Sequence, residues 1–367
     1  MQPTFDAITR YIFSLKDPML TFIATIIDEY LPLIYLVALM FHTRLLSQQD
    51  RLLKVTVAVL LALLLTYILK YAFQVPRPCI LDEAYIKTEC PAVPDFTFPS
   101  GHATLAAVVL ALFVGTQAFP TFLILSLLVG FFRINLGVHF LNDVLAGFVI
   151  GFLSYDVVDR FFSKGTLTLH TNSQNRKFEF RRQLLHVFIG VLLLFALFLF
   201  TTYYRMNGPV YLEFLIFIGL VFLLVLINYR MCGGKNPQIS FIFDIFERAG
   251  STQGYGAFWY GMGILFAFVF ISNISFLAAT IVALGIGDGI ATLVGTHGRI
   301  RNPINPNKTI EGTLAFFAST AIFSYFLLGP FALLFAAVTA FVESLPPKLD
   351  DNFTIPLASV LLYALVF

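Results

Sequence analysis

The sequence predicts an all-α integral membrane protein, built from two fused polytopic helical domains with about twelve transmembrane helices. Its composition is far from that of soluble domains, because 58% of the 367 residues are apolar and only 12% are charged. Apolar runs of roughly 20 residues, the length that crosses a bilayer as a helix, recur along the whole chain. Strand-like alternation of apolar and polar residues is weak, which excludes a membrane β-barrel.

The apolar runs predict the position of each helix. Residues Gln2–Lys16 have the pattern of a short amphipathic helix at the membrane interface. In the first half, spans are predicted at Met19–Phe41, Leu53–Phe73, Ala103–Phe119, Thr121–Phe132 and Leu141–Phe162. In the second half, they are predicted at Leu184–Phe200, Tyr211–Ile227, Gly256–Ile271, Ile274–Val294, Leu314–Leu328, Phe331–Phe341 and Thr354–Phe367.

One long polar stretch, from Ser163 to Arg182, separates the two apolar blocks. It is rich in Thr, Asn and basic residues, a composition typical of a connection between domains. We therefore expect a first domain over residues 1–163, a cytoplasmic linker over residues 164–180 and a second domain over residues 181–367.

Loop charge predicts the orientation of this multi-pass protein in the cell membrane, because cytoplasmic loops are enriched in Lys and Arg. One set of alternate loops contains Arg44, Arg51, Lys54, Arg160, Lys164, Arg176, Lys177, Arg181, Arg182, Arg230, Lys235, Arg248, Arg299, Arg301, Lys308 and Lys348. The other set has few basic residues, and its long loop is acidic. The first set is expected to face the cytoplasm. Cys79 and Cys90 flank the acidic loop and can pair if that compartment is oxidising.

Three short motifs in the first half combine basic, histidine and acidic residues. They are Lys70 with Arg77-Pro78, then Pro99-Ser100-Gly101-His102, then Arg133, His139 and Asp143. Each motif lies at the end or the beginning of a predicted span. Because successive spans run in opposite directions, all three motifs are expected at the same face of the membrane, the extracytoplasmic one.

Five of these residues suit the binding of a phosphate group. Lys70, Arg77 and Arg133 supply positive charge, and an arginine can bind two phosphate oxygens at once. Ser100 and Gly101 begin a helix, where backbone N–H groups and the helix dipole favour an anion. Taken singly, such basic residues usually reach lipid headgroups and Ser-Gly usually only caps the helix. Their occurrence together in one ordered pattern favours phosphate binding.

The remaining three residues suit catalysis of phosphate-ester hydrolysis without a metal or another cofactor. His139 can attack phosphorus and form a phosphohistidine. Asp143 follows one helical turn later and can orient the imidazole. His102 can protonate the leaving oxygen and later activate water. A lone histidine at a membrane interface is more often a helix-end residue than a catalyst, so this prediction depends on the whole set.

The first half, roughly Met1 to Ser163, resembles the type-2 phosphatidic acid phosphatase superfamily, which includes lipid phosphatases and vanadium haloperoxidases. Its short early region is most similar to the undecaprenyl-diphosphatase subgroup. The resemblance implies the same roles for the same residues: His139 as nucleophile, His102 as general acid and Asp143 as orienting carboxylate. One position departs from the pattern. The residue before the third-motif arginine is usually Ser, and it is Phe132 here, which removes one expected phosphate contact.

The second half contains its own polar clusters, all in loops expected to be cytoplasmic. They are Arg182 with His186, Gly285 with Gly287-Asp288-Gly289, the run Asn305 to Gly312 that includes Lys308, Thr309 and Glu311, and Asp350-Asp351-Asn352. A basic residue with Thr and Gly at a helix start can bind phosphates, although the glycine spacing is not that of a Walker loop. Carboxylates at a membrane edge can bind Mg²⁺. Close helix packing, a solvated loop and the positive-inside rule also explain these residues.

The blocks GDGIATLVGTHG, NPNKTIEGTLAFF and VESLPPKLDDNFTIPLAS resemble the CTP-dependent polyprenol kinases, which include dolichol and phytol kinases, over roughly Arg181 to Phe367. The resemblance implies that Asp288, Lys308, Thr309, Glu311, Asp351 and Asn352 bind the nucleotide or the metal or act in transfer, and it does not assign a role to each. With Mg²⁺ and CTP as the expected cofactor, we expect Asp288 and Asp351 to bind the metal and Asp288 also to act in catalysis. We expect nucleotide binding by Arg182, His186, Lys308, Thr309, Glu311, Gly312 and Asn352. Gln183 departs from the family, which usually has Lys at this position.

Together these features predict a bifunctional membrane enzyme. One site hydrolyses a polyprenyl phosphate or diphosphate at the outer face, and the other uses CTP to phosphorylate a polyprenol or dolichol at the cytoplasmic face. No nucleic-acid partner is expected. Three alternatives stay open: a phosphatase with a non-catalytic nucleotide-binding or structural second half, a pair of activities directed at diacylglycerol, and a transporter or flippase. The last predicts inverted repeats, which the halves do not show.

Overall fold

A computed structural model describes residues 6–15, 17–41, 49–81, 96–162, 176–246, 254–346 and 350–367. Over these residues the protein consists of α-helices, and the β-structure there is a single isolated bridge between Arg301 and Thr309. The chain divides into two compact units, Met1–Gly165 and Thr166–Phe367.

The helices of the described residues include six that are long and apolar enough to cross a membrane, by length and composition. They lie at Leu53–Leu81, Leu141–Phe162, Phe180–Tyr204, Gly208–Met231, Ile274–Gly295 and Ile310–Leu328. Further apolar helices, such as Gly101–Phe113 and Tyr255–Phe270, are shorter. The prediction of an all-α membrane protein is confirmed.

The first unit contains seven helices in the described residues. They are α1 (Ala7–Ser14), α2 (Pro18–Phe41), α3 (Gln49–Phe73), α4 (Pro78–Leu81), α5 (Gly101–Phe113), α6 (Phe119–Asn135) and α7 (Leu141–Phe162). The predicted span Ala103–Phe119 is wrong at its end. The chain turns after Phe113 because Gly115 has a φ of 82°, a conformation that glycine adopts without strain. α6 then begins at Phe119, with a proline in its first turn.

The core of this unit is the contact between α5 and α7. A Cβ atom on Gly147 would lie 2.7 Å from the carbonyl oxygen of Ser100, and one on Gly151 would lie 2.4 Å from that of Thr104. Two glycines four residues apart thus let the helix backbones touch, as small residues do in membrane helix pairs. The contact aligns the start of α5, which carries His102, with the start of α7.

The short helix α1 is tied to the start of α7 by buried polar contacts. Asp6 caps α1, accepting from the backbone N–H of Thr9 at 2.8 Å and from its hydroxyl at 2.6 Å. The Thr9 hydroxyl in turn accepts from the backbone N–H of Leu141 at 3.0 Å. Burial raises the pKa of the Asp6 carboxyl, although the hydrogen bonds from Thr9 oppose this. The Asn135 amide donates to the carbonyl of Ile12 at 2.8 Å, which holds α6 to the same helix.

The second unit contains α8 (Arg176–Tyr204), α9 (Gly208–Met231), α10 (Pro237–Phe246), α11 (Tyr255–Phe270), α12 (Ile274–Val282), α13 (Asp288–Gly295), α14 (Ile310–Leu328), α15 (Phe331–Ser344) and α16 (Asp351–Val366). The end of the predicted linker is helical, since α8 begins at Arg176. A single 3₁₀ turn at Arg205–Asn207 joins α8 to α9. The sequence did not predict α10.

A π-helical segment, Ala283–Gly287, joins α12 to α13 in one continuous helix and ends directly before Asp288. Such segments are frequent at functional sites because they shift the register of the helix face. A Cβ atom on Gly285 would lie 2.8 Å from the Cα of Gly190, so α8 contacts this segment backbone to backbone. Gly285 therefore serves close helix packing, which is one of the explanations that the sequence analysis gave for the glycines around Asp288.

Candidate active sites

The three motifs of the first unit converge around the loop between α6 and α7. Backbone hydrogen bonds join them: Thr97 N to Val75 O at 2.8 Å, Cys79 N to Gly137 O at 3.2 Å and Ser100 N to Asp143 O at 2.9 Å. These bonds fix the ends of α3, α5 and α7 to one another. Cys79 is in a disulfide, but its predicted partner Cys90 lies outside the described residues.

His139 is the centre of the first site and is almost fully buried. The positive charges of Arg133, Arg77, Lys70 and His102 all act on its imidazole. Burial first, and then these four charges, lower the pKa of His139 well below its usual value. The imidazole is therefore neutral near pH 7, which is the state in which a histidine can act as a nucleophile.

Two of the three predicted phosphate-binding cations are held in place by backbone carbonyl oxygens. The Lys70 ammonium group donates to the carbonyl oxygen of Phe96. The Arg77 guanidinium donates from Nη1 to the carbonyl oxygen of Val138 at 3.3 Å. Lys70, Arg77 and Arg133 are all buried, with relative exposures of 9%, 4% and 6%. Three buried positive charges close together favour an anion between them, so this cluster suits a bound phosphate.

Ser100 and Gly101 lie at the start of α5 as predicted. The Ser100 side chain caps the helix by accepting from Ala103 N at 3.5 Å. Its own N–H donates to the carbonyl of Asp143, so this group is already used within the protein. If the start of α5 binds an anion as predicted, the donors are therefore the Ser100 hydroxyl and the Gly101 amide.

Asp143 lies beside His139, but its closest contacts are to other groups. The Oδ2 atom of Asp143 is 3.4 Å from Nδ1 of His139, longer than a normal hydrogen bond. The same oxygen accepts from the backbone N–H of Phe140 at 2.7 Å and from the hydroxyl of Thr97 at 2.5 Å. The sequence did not indicate Thr97, because a threonine two residues before the Pro-Ser-Gly-His motif carries no signal of its own.

A narrow cleft lies beside the predicted catalytic residue His102. His102 and Arg133 line its polar part, and the rest is lined by apolar side chains of Ala24, Ile27, Leu31, Val129 and Phe132. Phe132, which stands where the related phosphatases usually have Ser, is 4% exposed and packs against Ala24 of α2. It therefore adds apolar surface to the cleft and no phosphate contact.

In the second unit, Lys308 joins two helices that are separate in sequence. Its ammonium group lies 2.7 Å from Oε1 of Glu343 on α15 and 2.8 Å from Oδ2 of Asp351 on α16. Burial alone would lower the pKa of Lys308, but the two carboxylates outweigh it and raise the pKa. Thr309 caps α14 by accepting from Gly312 N at 3.2 Å. The structure thus brings together Lys308, predicted to bind the nucleotide, and Asp351, predicted to bind the metal, with Glu343, to which the sequence assigned no role.

Two other predicted nucleotide-binding residues make contacts within the protein. The Glu311 carboxylate accepts from the backbone N–H groups of Arg299 at 2.7 Å and Ile300 at 3.1 Å, so it holds the loop before α14. The Asn352 amide donates to the carbonyl of Gly256 at 3.4 Å and joins α16 to α11. These contacts position the loop and helix starts around Lys308.

His186 and Asp288 are connected through Tyr260 of α11. The His186 ring on α8 lies 4.8 Å from the Tyr260 ring, and the charge of Asp288 acts on the Tyr260 hydroxyl. Asp288 also acts electrostatically on Glu343. Arg182 lies one turn before His186 on the same helix and is partly buried. The second unit therefore brings Asp288 into range of the carboxylates around Lys308.

The carboxylates of this second site fit Mg²⁺ bound together with a nucleotide. No group of three or more His, Cys, Asp or Glu side chains within the described residues could hold a metal ion on its own. However, Oε2 of Glu343 is buried and has no hydrogen-bond partner among the described residues, and the charges of Asp288 and Asp351 both act on this carboxyl group. Mg²⁺ is usually bound by one or two carboxylates together with substrate phosphates, so an incomplete protein ligand set is what its chemistry requires.

Comparison with known proteins agrees with the two resemblances seen in the sequence. Residues 51–165 match the PAP2 superfamily. Phosphatidylglycerophosphatase B of Bacillus subtilis is 37% identical over 82 residues, which are 19% of this chain and 40% of that protein. The first unit thus contains a PAP2 superfamily domain, the type of domain found in lipid phosphatases.

The C-terminal region is similar to phytol kinases. The Oryza sativa protein named "Probable phytol kinase 2, chloroplastic" is 36% identical over 131 residues, or 30% of this chain and 43% of that protein. An uncharacterized protein of Methanocaldococcus jannaschii is 29% identical over 180 residues, or 48% of this chain and 88% of that protein.

The chain spans less than half the length of the rice and Bacillus proteins. No solved structure is significantly similar. The predicted resemblance of both halves is confirmed, and the chain fuses a lipid phosphatase-like domain to a kinase-like region.

Proposed function

We propose that this protein is a bifunctional lipid enzyme, which hydrolyses a polyprenyl phosphate or diphosphate and phosphorylates a polyprenol with CTP. The observation that carries the first activity is that His102 and Arg133 line a cleft whose other walls are apolar, while the charges of both residues act on the neighbouring His139. Such a cleft suits a substrate with a phosphate at one end and a hydrocarbon chain at the other.

The first reaction proceeds in two balanced steps. Nε2 of His139 attacks phosphorus, the P–O bond to the leaving group breaks, and His102 gives that oxygen a proton. His102 then takes a proton from water, whose oxygen attacks phosphorus and breaks the N–P bond. Lys70, Arg77 and Arg133 stabilise the charge on the phosphoryl oxygens in both steps.

The second reaction is supported by the ion-pair cluster at Lys308. Lys308 binds the phosphates of CTP, and Asp288, Asp351 and Glu343 supply carboxylates for a metal ion. Mg²⁺, when bound, neutralises phosphate charge during transfer. The lipid hydroxyl attacks the γ-phosphorus of CTP, its proton leaves to a base, and CDP departs.

The two activities face opposite sides of the membrane in this proposal. The support is the distribution of Lys and Arg among the loops, which puts Lys308 on the basic, cytoplasmic side, where CTP is available. The first site then faces the extracytoplasmic side. A lipid carrier can thus lose its phosphate at one face and regain it at the other.

Purified protein tests both activities with two single variants. The wild type should release phosphate from polyprenyl phosphate or diphosphate, and it should transfer label from γ-³²P-CTP to polyprenol when Mg²⁺ is present. His139→Ala should lower phosphate release by at least about 1,000-fold and leave transfer unchanged. Lys308→Met should abolish transfer and leave hydrolysis unchanged.

Other outcomes would contradict the proposal. No transfer from CTP to a polyprenol or any other lipid alcohol would exclude the kinase activity. Transfer to diacylglycerol but not to polyprenol would reassign the lipid. Loss of both activities in His139→Ala would contradict separate sites.

A further inference from the structure

We infer that Thr97 is a positioning residue of the first site, whose hydroxyl connects Asp143 to His139 and fixes which imidazole nitrogen attacks phosphorus. This inference rests on the proposed phosphatase activity and goes beyond it, because neither the sequence motifs nor the roles proposed for them include Thr97.

The hydroxyl of Thr97 lies between the two catalytic side chains. Its Oγ1 atom is 2.5 Å from Oδ2 of Asp143 and 3.0 Å from Nδ1 of His139. Both distances are shorter than the direct 3.4 Å separation of Asp143 and His139. Thr97 is 0% exposed, so water does not compete for these contacts.

The positions of the protons follow from the number of donors. Oδ2 of Asp143 accepts the backbone N–H of Phe140 at 2.7 Å, so this oxygen acts as an acceptor. The single hydroxyl proton of Thr97 points to the same oxygen, its closest acceptor, although the carbonyl of Val138 is also within 3.2 Å. The lone pairs of Oγ1 then face Nδ1 of His139.

Nδ1 of His139 must therefore carry its proton and donate it to Thr97. In a neutral imidazole only one nitrogen is protonated, so Nε2 keeps its lone pair. Nε2 is the nitrogen that forms the bond to phosphorus. Once that bond forms, the ring becomes cationic, and the Thr97–Asp143 pair stabilises its remaining N–H proton. No proton needs to move along this chain.

The main chain of Thr97 is as firmly held as its side chain. Its N–H donates to the carbonyl oxygen of Val75 at 2.8 Å, and that residue follows α3 in the segment that leads to Arg77. Thr97 therefore links the first motif to the third through its backbone and its hydroxyl. A substitution at Thr97 is therefore expected to alter the geometry of the motifs, although Thr97 lies outside them.

The test compares Thr97→Val, which removes the hydroxyl at similar size, with Thr97→Ser, which keeps it. We expect Thr97→Val to lower kcat for phosphate release by about 10- to 100-fold, with little change in KM. The acid limb of its pH–activity profile, where His139 becomes protonated, should move to lower pH. Without the Thr97 hydroxyl, the protonated imidazole loses the acceptor of its Nδ1 proton, so the pKa of His139 falls. Thr97→Ser should restore most of kcat. A purely structural role would not give this split or this rescue.

A matched control removes another buried hydroxyl of the same unit. Ser154 is 0% exposed, and its hydroxyl bonds only to the Ile150 carbonyl of its own helix at 2.7 Å, so Ser154→Ala should keep wild-type kcat. If Thr97→Val does not fold, Thr97→Ala makes the same comparison. Wild-type kcat and pH profile in the folded Val or Ala variant would overturn the inference, as would a Ser variant that is equally impaired. If the wild type releases no phosphate from any lipid phosphate, the proposed function itself fails instead.

Discussion

The burial of His139 among positive charges determines the protonation state of this proposed nucleophile. Because its pKa is lowered, the folded protein keeps the imidazole neutral at pH values where a free histidine is protonated. The unfolded chain takes up this proton as the pH falls through about 6.5, and the folded protein does not. Stability is therefore lost as the pH falls below about 6.5.

The same charge arrangement predicts the pH dependence of phosphate release. In the wild type, the acid limb of kcat/KM that belongs to His139 should lie below about pH 6.5. Arg133→Gln removes one of the charges that lower the pKa of His139, so the acid limb should move to higher pH. The same substitution also removes a proposed phosphate contact. The wild type and Arg133→Gln are measured with the same substrate, because the ionisation of the substrate then affects both pH profiles equally. A wild-type limb at or above pH 6.5, or an unmoved limb in the variant, would contradict this account.

At the residue scale, the sequence indicated residues whose types occur together in a motif, and it did not indicate residues whose importance depends on contacts between distant segments. His139, His102, Asp143 and Lys308 stand in motifs whose residue types already indicate phosphate chemistry. Thr97 does not, because its contacts arise only where distant segments meet. Glu343 stands in the block VESLPPKLDDNFTIPLAS, but only the ion pair with Lys308 indicates a role for it. Glu311 shows the opposite case, since a carboxylate in a promising motif holds its own loop.

At the scale of elements, the contact between α5 and α7 determines the geometry of the first site. A leucine at Gly151 would push against the backbone of Thr104, which a Cβ atom would already approach to 2.4 Å. We expect Gly151→Leu to destabilise the protein by about 1–3 kcal/mol. Displacement of α5 by about 1 Å should lower phosphate release by about 100-fold.

Thermal unfolding and phosphate release measured side by side check this expectation. Gly219→Leu on α9 is the matched control, because a Cβ atom there has no heavy atom within 4 Å. The control should alter neither quantity. If Gly151→Leu behaved like the control, the close contact would not determine the site.

The helix α2 is expected to contribute the binding surface for the lipid chain. Ala24 lines the cleft beside His102, so Ala24→Phe should fill it. Excluding the volume of about two methylene groups should raise KM about 10-fold for a long-chain lipid phosphate. A short, water-soluble phosphate ester should be hydrolysed at nearly the wild-type rate.

Leu60→Phe on the exposed face of α3 is the control for this comparison, since Leu60 is 61% exposed and should affect neither substrate. Equal loss for the long and short substrates in Ala24→Phe would show that the cleft does not select the chain. No change for either would show that the chain binds elsewhere.

Helix boundaries were less predictable from the sequence than helix existence. The apolar pattern predicted the long spans, such as α7, but it could not show that Gly115 ends the predicted span Ala103–Phe119 early. It also missed α10, which is only 10 residues long and too short for a membrane span. The π-helical turn before Asp288 leaves no trace in apolar periodicity.

At the scale of the whole molecule, the chain consists of two compact units, each with its own charged site. The residues of the first site all lie in Met1–Gly165, and those of the second all lie in Thr166–Phe367. The two proposed activities are opposite, so we expect the product of one site to be the substrate of the other. This arrangement makes the two sites separable by single substitutions.

The most direct test follows one phosphate through both sites. Wild-type protein in detergent micelles, where both sites can reach the same lipid, should with polyprenol, Mg²⁺ and γ-³²P-CTP first form labelled polyprenyl phosphate and then release labelled inorganic phosphate. His139→Ala should accumulate the labelled lipid and release none, whereas Lys308→Met should form no labelled lipid and still hydrolyse polyprenyl phosphate that is added. Failure of the wild type to label any lipid, or joint loss of both activities in each variant, would contradict the claim that this chain carries two independent catalytic sites.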